Sequence, residues 1–196
     1  MQQLPVAGIY LVQTFFGFYT ILVLLRFLLQ LVRADFYNPI SQFAVKATSP
    51  ILNPMRRVIP GWGGVDVSSL LLILALQVIQ LVAIILMLGY PIPNAGLIVA
   101  WSAVGILGLL LNFFFWAIII QVVLSWVAPQ SNNPVVGLLY QITEPIMAPA
   151  RKLLPPMGGM DFSPIITFML IQLAKIMVVG TLVQALQIPQ QLIFGL

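Results

Sequence analysis

Residues 38–68 carry Asn38-Pro39, Thr48-Ser49-Pro50-Ile51, Pro54, Arg56-Arg57, Pro60, Gly63-Gly64, Asp66 and Ser68. Ninety-five positions later, without a gap, stand Asn133-Pro134, Thr143-Glu144-Pro145-Ile146, Pro149, Arg151-Lys152, Pro155, Gly158-Gly159, Asp161 and Ser163. Each copy lies between two long apolar runs. The unit is therefore helix, polar loop, helix, made once and then repeated.

Composition gives the solvent. Hydrophobic residues make up 61% of the chain and charged residues 6%, which a water-facing surface does not accommodate. The reading is an all-α membrane protein with four transmembrane helices. The apolar runs cover about residues 8–32, 67–90, 97–127 and 163–186, and each exceeds the roughly 20 residues that a helix needs to cross a bilayer. Two tandem repeats follow: residues 8–90 with loop 33–66, and residues 97–187 with loop 128–162. No basic residue precedes the first run and no small-x-small pattern follows it, so it reads as a retained helix rather than a cleaved signal. The third run is overlong, which tilt or extension past the interface would absorb. Trp101 and Trp126 near its ends suit interfacial anchoring, and Gly96 and Ala100 have small-xxx-small spacing.

The chain contains no histidine and no cysteine, which excludes disulfides, thiolate or imidazole metal sites, and Cys or His catalytic pairs. No cofactor is expected. A net charge of +4 from eight basic side chains is too small for a nucleic-acid groove, so no direct nucleic-acid contact is expected. The bases instead report orientation. Arg33, Lys46, Arg56 and Arg57 lie in the first loop and Arg151 and Lys152 in the second, while the termini and the turn at 91–96 have none. The positive-inside rule puts both long loops in the cytoplasm and both termini outside.

Each loop is expected to begin with a short amphipathic helix. Asn38 and Asn133 cap it and Pro39 and Pro134 fill its first position, while Pro50 and Pro145 discourage its continuation. Its apolar stripe is Ile40, Phe43, Ala44 and Ala47, repeated as Val135, Leu138, Leu139 and Ile142. Such a stripe lies on the inner interface or packs under the bundle. The later prolines predict a stiff, irregular connector. In Gly-Gly-x-Asp-x-Ser, at 63–68 and 158–163, the glycines permit a turn and Asp66, Ser68, Asp161 or Ser163 caps the next helix. The basic pairs Arg56-Arg57 and Arg151-Lys152 serve as topology determinants or bind anionic lipid or an acidic partner.

Polar residues inside the apolar runs are the other candidates. Arg26 lies seven residues before Arg33 and within snorkelling reach of the cytoplasmic surface. Lys175 lies twelve residues into the fourth run, about 18 Å along a helix and near mid-bilayer. A cation there costs at least about 2.5 kcal/mol and usually faces a partner or a watery cavity. No acid lies within an apolar run. Gln77, Gln80, Gln121, Gln172 and Asn112 are available for a polar seam with Lys175, serving either structure or an anion, proton or lipid pathway. Gln77 and Gln172 are repeat-equivalent, which favours a paired structural contact.

The chain resembles the YggT family of small bacterial membrane proteins, through Ser125-Trp126, Asn133-Pro134, Thr143-Glu144-Pro145-Ile146, Arg151, Pro155-Pro156, Asp161 and Ser163-Pro164. The first copy departs from this pattern: Gln30-Leu31 replaces Ser-Trp, and Ser49, Gly61 and Ser69 replace Glu144, Pro156 and Pro164. The resemblance implies a bacterial inner-membrane protein linked to envelope or osmotic-stress homeostasis and to cell shape or division, with plastid relatives linked to cytochrome b6 haem maturation and nucleoid distribution. Without histidine or cysteine, direct haem ligation by this chain is not expected. The expected role is non-enzymatic: organising or assembling membrane components through contacts with lipids and other membrane proteins, with an oligomer possible. A small transporter or channel for ions or solutes is the alternative. Glu144 and Lys175, unique to the second copy, are where function is first sought.

Overall fold

The computed structural model describes residues 3–127, 133–153, 161–189 and 192. It is all-helical among these residues: α1 (Gln3–Leu31), α2 (Pro39–Val58), α3 (Val67–Leu88), α4 (Ala95–Val127), α5 (Pro134–Leu153), α6 (Ser163–Ala174), a π-helical turn (Lys175–Val179) and α7 (Gly180–Ala185). Four segments are long and apolar enough to span a membrane: Val6–Leu31, Val67–Leu88, Ala95–Val127 and Ser163–Ala185. The chain is a multi-pass membrane protein, with α2 and α5 as the loop helices.

Both loop helices are longer than the prolines predict. Asn38 Oδ1 accepts from Ile40 N at 3.0 Å and starts α2, but α2 then runs on through Pro50 and Pro54, as α5 runs through Pro145 and Pro149. The expectation of a short helix followed by an irregular connector is overturned for residues 50–58 and 145–153. The reason is spacing. The two prolines in each helix are four apart and exposed, so the carbonyls they release lie on the same outward face and leave the buried side intact.

The buried stripe is also rotated from the expected one. It is Ser41, Ala44, Thr48 and Leu52, while Phe43 is 56% exposed. The polar members turn inward because they have partners there. Ser41 Oγ donates to Asp35 O at 2.8 Å, and Thr48 accepts from Arg26. Both loop helices thus pack under the bundle. Leu52 and Ala44 of α2 and Leu138, Ile142 and Met147 of α5 join Val23, Leu28, Ile73, Phe114 and Ile118 in one apolar core at the loop end.

Gly63 and Gly64 both have positive φ, 60° and 84°, in a tight two-residue turn closed by hydrogen bonds between Trp62 and Val65. Glycine adopts two such angles in succession without strain. The turn aims the chain at Asp66 and α3. Pro155, Pro156 and the second Gly-Gly, at 158–159, lie outside the described residues.

Gly96 is exposed and forms no small-residue helix contact; the buried small residues of α4 are Ser102, Gly105, Gly108 and Ala117. Trp101 does more than anchor an interface, since its Nε1 donates to Leu186 O at 3.1 Å and ties α4 to the end of the fourth span. Trp126 is exposed. The repeats differ in closure: 39% of the second and third spans is buried, but only 17% of the fourth. The fourth span is covered on fewer sides.

Candidate functional site

Two kinds of polar site emerge, clasps that hold the loop helices and a cavity at Lys175. Arg26 does not snorkel. It is 6% exposed, and Nη1 donates to Thr48 Oγ1 at 2.8 Å and to Val45 O and Ser49 Oγ at 3.1 Å. Gln121, its equivalent one repeat later, accepts from the Thr143 hydroxyl, and Thr143 is the equivalent of Thr48. Both pairs bind a membrane helix to a loop helix.

The second clasp is ionic. Arg56 pairs with Asp66 and donates from Nη2 to Gln30 Oε1 at 3.1 Å, joining α1, α2 and the start of α3. Asp66 also caps α3, accepting from Ser69 N and Ser69 Oγ. Burial opposes its charge, but hydrogen bonds from Arg56 and Ser69 and the Arg56 charge outweigh it and hold the carboxyl below the usual carboxylate range. In the second repeat Arg151 Nη1 grips Glu144 at 2.8 and 2.7 Å, while Nε reaches Asp161 Oδ2 at 3.3 Å. Burial opposes the Arg151 charge, and its two carboxylate partners raise its pKa regardless. Asp161 is held low in the same way as Asp66: Ser163 and Arg151 overcome its burial.

Several predicted roles change. Asp161 Oδ1 accepts from Ser163 N at 2.8 Å, whereas Ser68 Oγ donates back to Ile59 O at 2.8 Å and caps nothing. No cap side-chain bond from Ser163 is present. Both Glu144 oxygens accept from Arg151, and the Glu144 side chain is 47% exposed. Each basic pair divides its labour: Arg56 and Arg151 are clasps, while Arg57 and Lys152 are exposed and make no ion pair among the described residues. Asn133 Oδ1 accepts from Val135 N at 2.9 Å.

The two loops also meet. Asn38 Nδ2 donates to Pro134 O at 2.6 Å, and Asp35 N donates to Gln141 Oε1 at 3.1 Å. The two repeats therefore share one composite surface at the loop end.

The expected polar seam is broken up. Gln77 and Gln80 are buried on α3, Gln121 is bound to Thr143, and Gln172 is exposed on α6. Gln77 borders Ser102 and Gly105 of α4, so the repeat-equivalent pair Gln77 and Gln172 does not share an environment. Lys175 donates from Nζ to Asn112 Oδ1 at 2.7 Å. Both border a cavity of about 650 Å³, otherwise apolar, walled by Ile21 and Leu25 of α1, Trp116 and Ile120 of α4, and Leu138 and Ile142 of α5. The π-helical turn begins at Lys175, where α3 in the first repeat continues unbroken. The repeat register holds part of the explanation. Lys175 and Asn112 occupy the places of Gln80 and Gly17, and a Lys–Asn pair needs more room between its helices than a Gln–Gly pair.

Among the described residues no three acids lie together in a group able to hold a metal ion. The sequence matches the CCB3/YggT family over residues 6–87 and 100–182, one segment per repeat. It is 48% identical to an uncharacterised protein of Pseudomonas aeruginosa, over 96% of each chain. It is 40% identical to the uncharacterised protein YggT of Escherichia coli K12, over 83% of this chain and 84% of that one. The chloroplast protein CCB3 of Arabidopsis thaliana, named for cofactor assembly of complex C, is 39% identical over 40% of this chain and 45% of its own length. No solved structure matches. With both repeats matched and a fourfold-spanning helical architecture to carry them, the chain belongs to the CCB3/YggT family.

Proposed function

We propose that this chain is a non-catalytic protein of the bacterial inner membrane that organises or assembles other membrane components, in the service of envelope or osmotic-stress homeostasis. The observation that carries this reading is the composite loop surface. Several of its charged side chains hold α2 and α5 in place, through Arg56–Asp66, Arg151–Asp161 and Arg26–Thr48, instead of converging on a reacting centre. Asn38 and Asp35 join the two loops into one platform, from which Arg57 and Lys152 are available to a partner or to lipid headgroups. The name of the Arabidopsis relative, which speaks of cofactor assembly, supports the same reading. In the proposed orientation the platform is cytoplasmic and both termini are periplasmic.

The test is cross-linking from the loop surface in native membranes. Defined partners are expected to co-purify and to be lost in the Arg57→Ala, Lys152→Ala double variant. Recovery of the isolated protein alone, with that variant silent, overturns the reading. Orientation has a separate check, because the chain has no native cysteine. A single cysteine at Val58 is expected to be shielded from impermeant reagents in intact cells, and one at Ile92 to react. A transporter is the second reading, motivated by Lys175 at its cavity. It requires solute or ion flux in proteoliposomes that Lys175→Ala changes.

A further inference from the structure

We infer that the cavity at Lys175 is the docking place of a partner's transmembrane helix that carries a carboxylate at mid-membrane depth. This rests on the assembly reading above and names the chemistry of one partner.

The first observation is charge. Lys175 lies twelve residues past the start of α6, about 18 Å along the helix axis and close to the bilayer centre. The four acids of the chain are Asp35, Asp66, Glu144 and Asp161, all outside the four spans. The bond from Lys175 to Asn112 Oδ1 supplies an acceptor but no counter-charge. An embedded cation is characteristically paired, and here the chain has no carboxylate at that depth to pair it.

The second observation is shape. The cavity is lined by aliphatic and aromatic side chains from Asn112 and Lys175 towards the loop helix α5, whose Leu138 and Ile142 also line it. It is polar at its mid-membrane end and apolar towards the interface. An anionic lipid has the opposite order, with its headgroup at the interface and its chain at the centre. A transmembrane helix with one central Asp or Glu and apolar residues towards its cytoplasmic end matches both features.

The third observation is the contrast between repeats. Gln80, at the place of Lys175, is neutral and only 1% exposed, in a helix closed on both sides by α1 and α4. The cation occurs only in the repeat whose second span is open, at the residue where the helix loosens into a π turn. Such turns recur at functional positions in helices.

The test uses designed peptides co-reconstituted with the full chain in proteoliposomes. The probe is a Leu-rich transmembrane peptide with one central Glu, compared with central Gln and central Leu peptides, with association read by energy transfer. The Glu peptide is expected to associate at least about tenfold more strongly than the other two, and to lose that margin against Lys175→Gln, which installs the residue of the first repeat. Lys175→Arg is expected to retain it. Lys175→Glu with a central Lys peptide is expected to restore it. A helical spectrum and unchanged thermal unfolding establish that Lys175→Gln is folded. Association that ignores the central residue, or is unchanged in Lys175→Gln, overturns the proposal. In native membranes, a photoreactive residue at Ile120 is expected to capture a protein through a span bearing an embedded Asp or Glu. If it captures only lipid while loop cross-linkers still capture partners, the cavity proposal fails and the assembly reading stands. If neither captures a protein, both fail.

Discussion

The Arg26 guanidinium donates to Thr48 Oγ1 at 2.8 Å, binding the first membrane helix to the first loop helix, and the second repeat rebuilds that contact with Gln121 and Thr143. The same position therefore tolerates a cation or a neutral amide, provided that it reaches the loop helix. Arg26→Gln is expected to lower stability only slightly. Arg26→Leu removes the donor to Val45 O, Thr48 and Ser49 together and is expected to cost about 1–3 kcal/mol. Thermal unfolding in detergent measures both. Equal losses would show that the charge itself, and not the contact, is what α2 needs.

The two ionic clasps differ in depth, so they are expected to differ in strength. The Asp66 side chain is 4% exposed and that of Asp161 is 38% exposed. Asp66→Asn leaves Arg56 without its counter-charge and weakens the α3 cap, at an expected cost of about 2 kcal/mol. Asp161→Asn is expected to cost under about 1 kcal/mol, as for a solvent-screened pair, with Glu144 still holding Arg151. Parallel denaturation of the two variants decides the order.

Acidification is expected to release both clasps from the carboxylate side. Asp66 and Asp161 are held below their ordinary pKa, so each binds protons more readily in the unfolded than in the folded chain. Their contribution to stability is complete above the unfolded carboxylate value of about 4 and is lost as pH falls through the lower folded values. Amide protection at the starts of α3 and α6, taken relative to intrinsic exchange at each pH, is expected to fall over that acid range and to be flat around neutrality. In Asp66→Asn the α3 response is expected to disappear.

The four spans and the doubled unit were legible because apolar length and a 95-residue offset are direct consequences of bilayer thickness and repetition. The loop helices were only half legible. Pro50 and Pro54 read as breakers one at a time, yet their four-residue spacing puts both on one outward face, a property of the pair. The Arg26–Thr48 and Gln121–Thr143 pairs carry a signal that reading each residue singly misses. Adding the repeat offset to Arg26 gives Gln121, just as adding it to Thr48 gives Thr143. The cavity at Lys175 was not legible beyond its cation, because its volume depends on how α1, α4 and α5 stand around Lys175, which no local pattern encodes.

Gln172 provides the last test, since its repeat partner Gln77 is buried while Gln172 itself is exposed on α6. An amide on the outer face of a single chain gains little by staying there, so Gln172→Leu is expected to leave the monomer within about 0.5 kcal/mol of wild type. Gln121→Leu, by contrast, breaks the bond to Thr143 and is expected to cost about 1 kcal/mol. Unfolding of both variants in detergent, at concentrations where the protein is monomeric, separates the two amides. A large loss for Gln172→Leu under those conditions would mean that α6 turns this residue inward, and the open face of the fourth span would have to be redrawn.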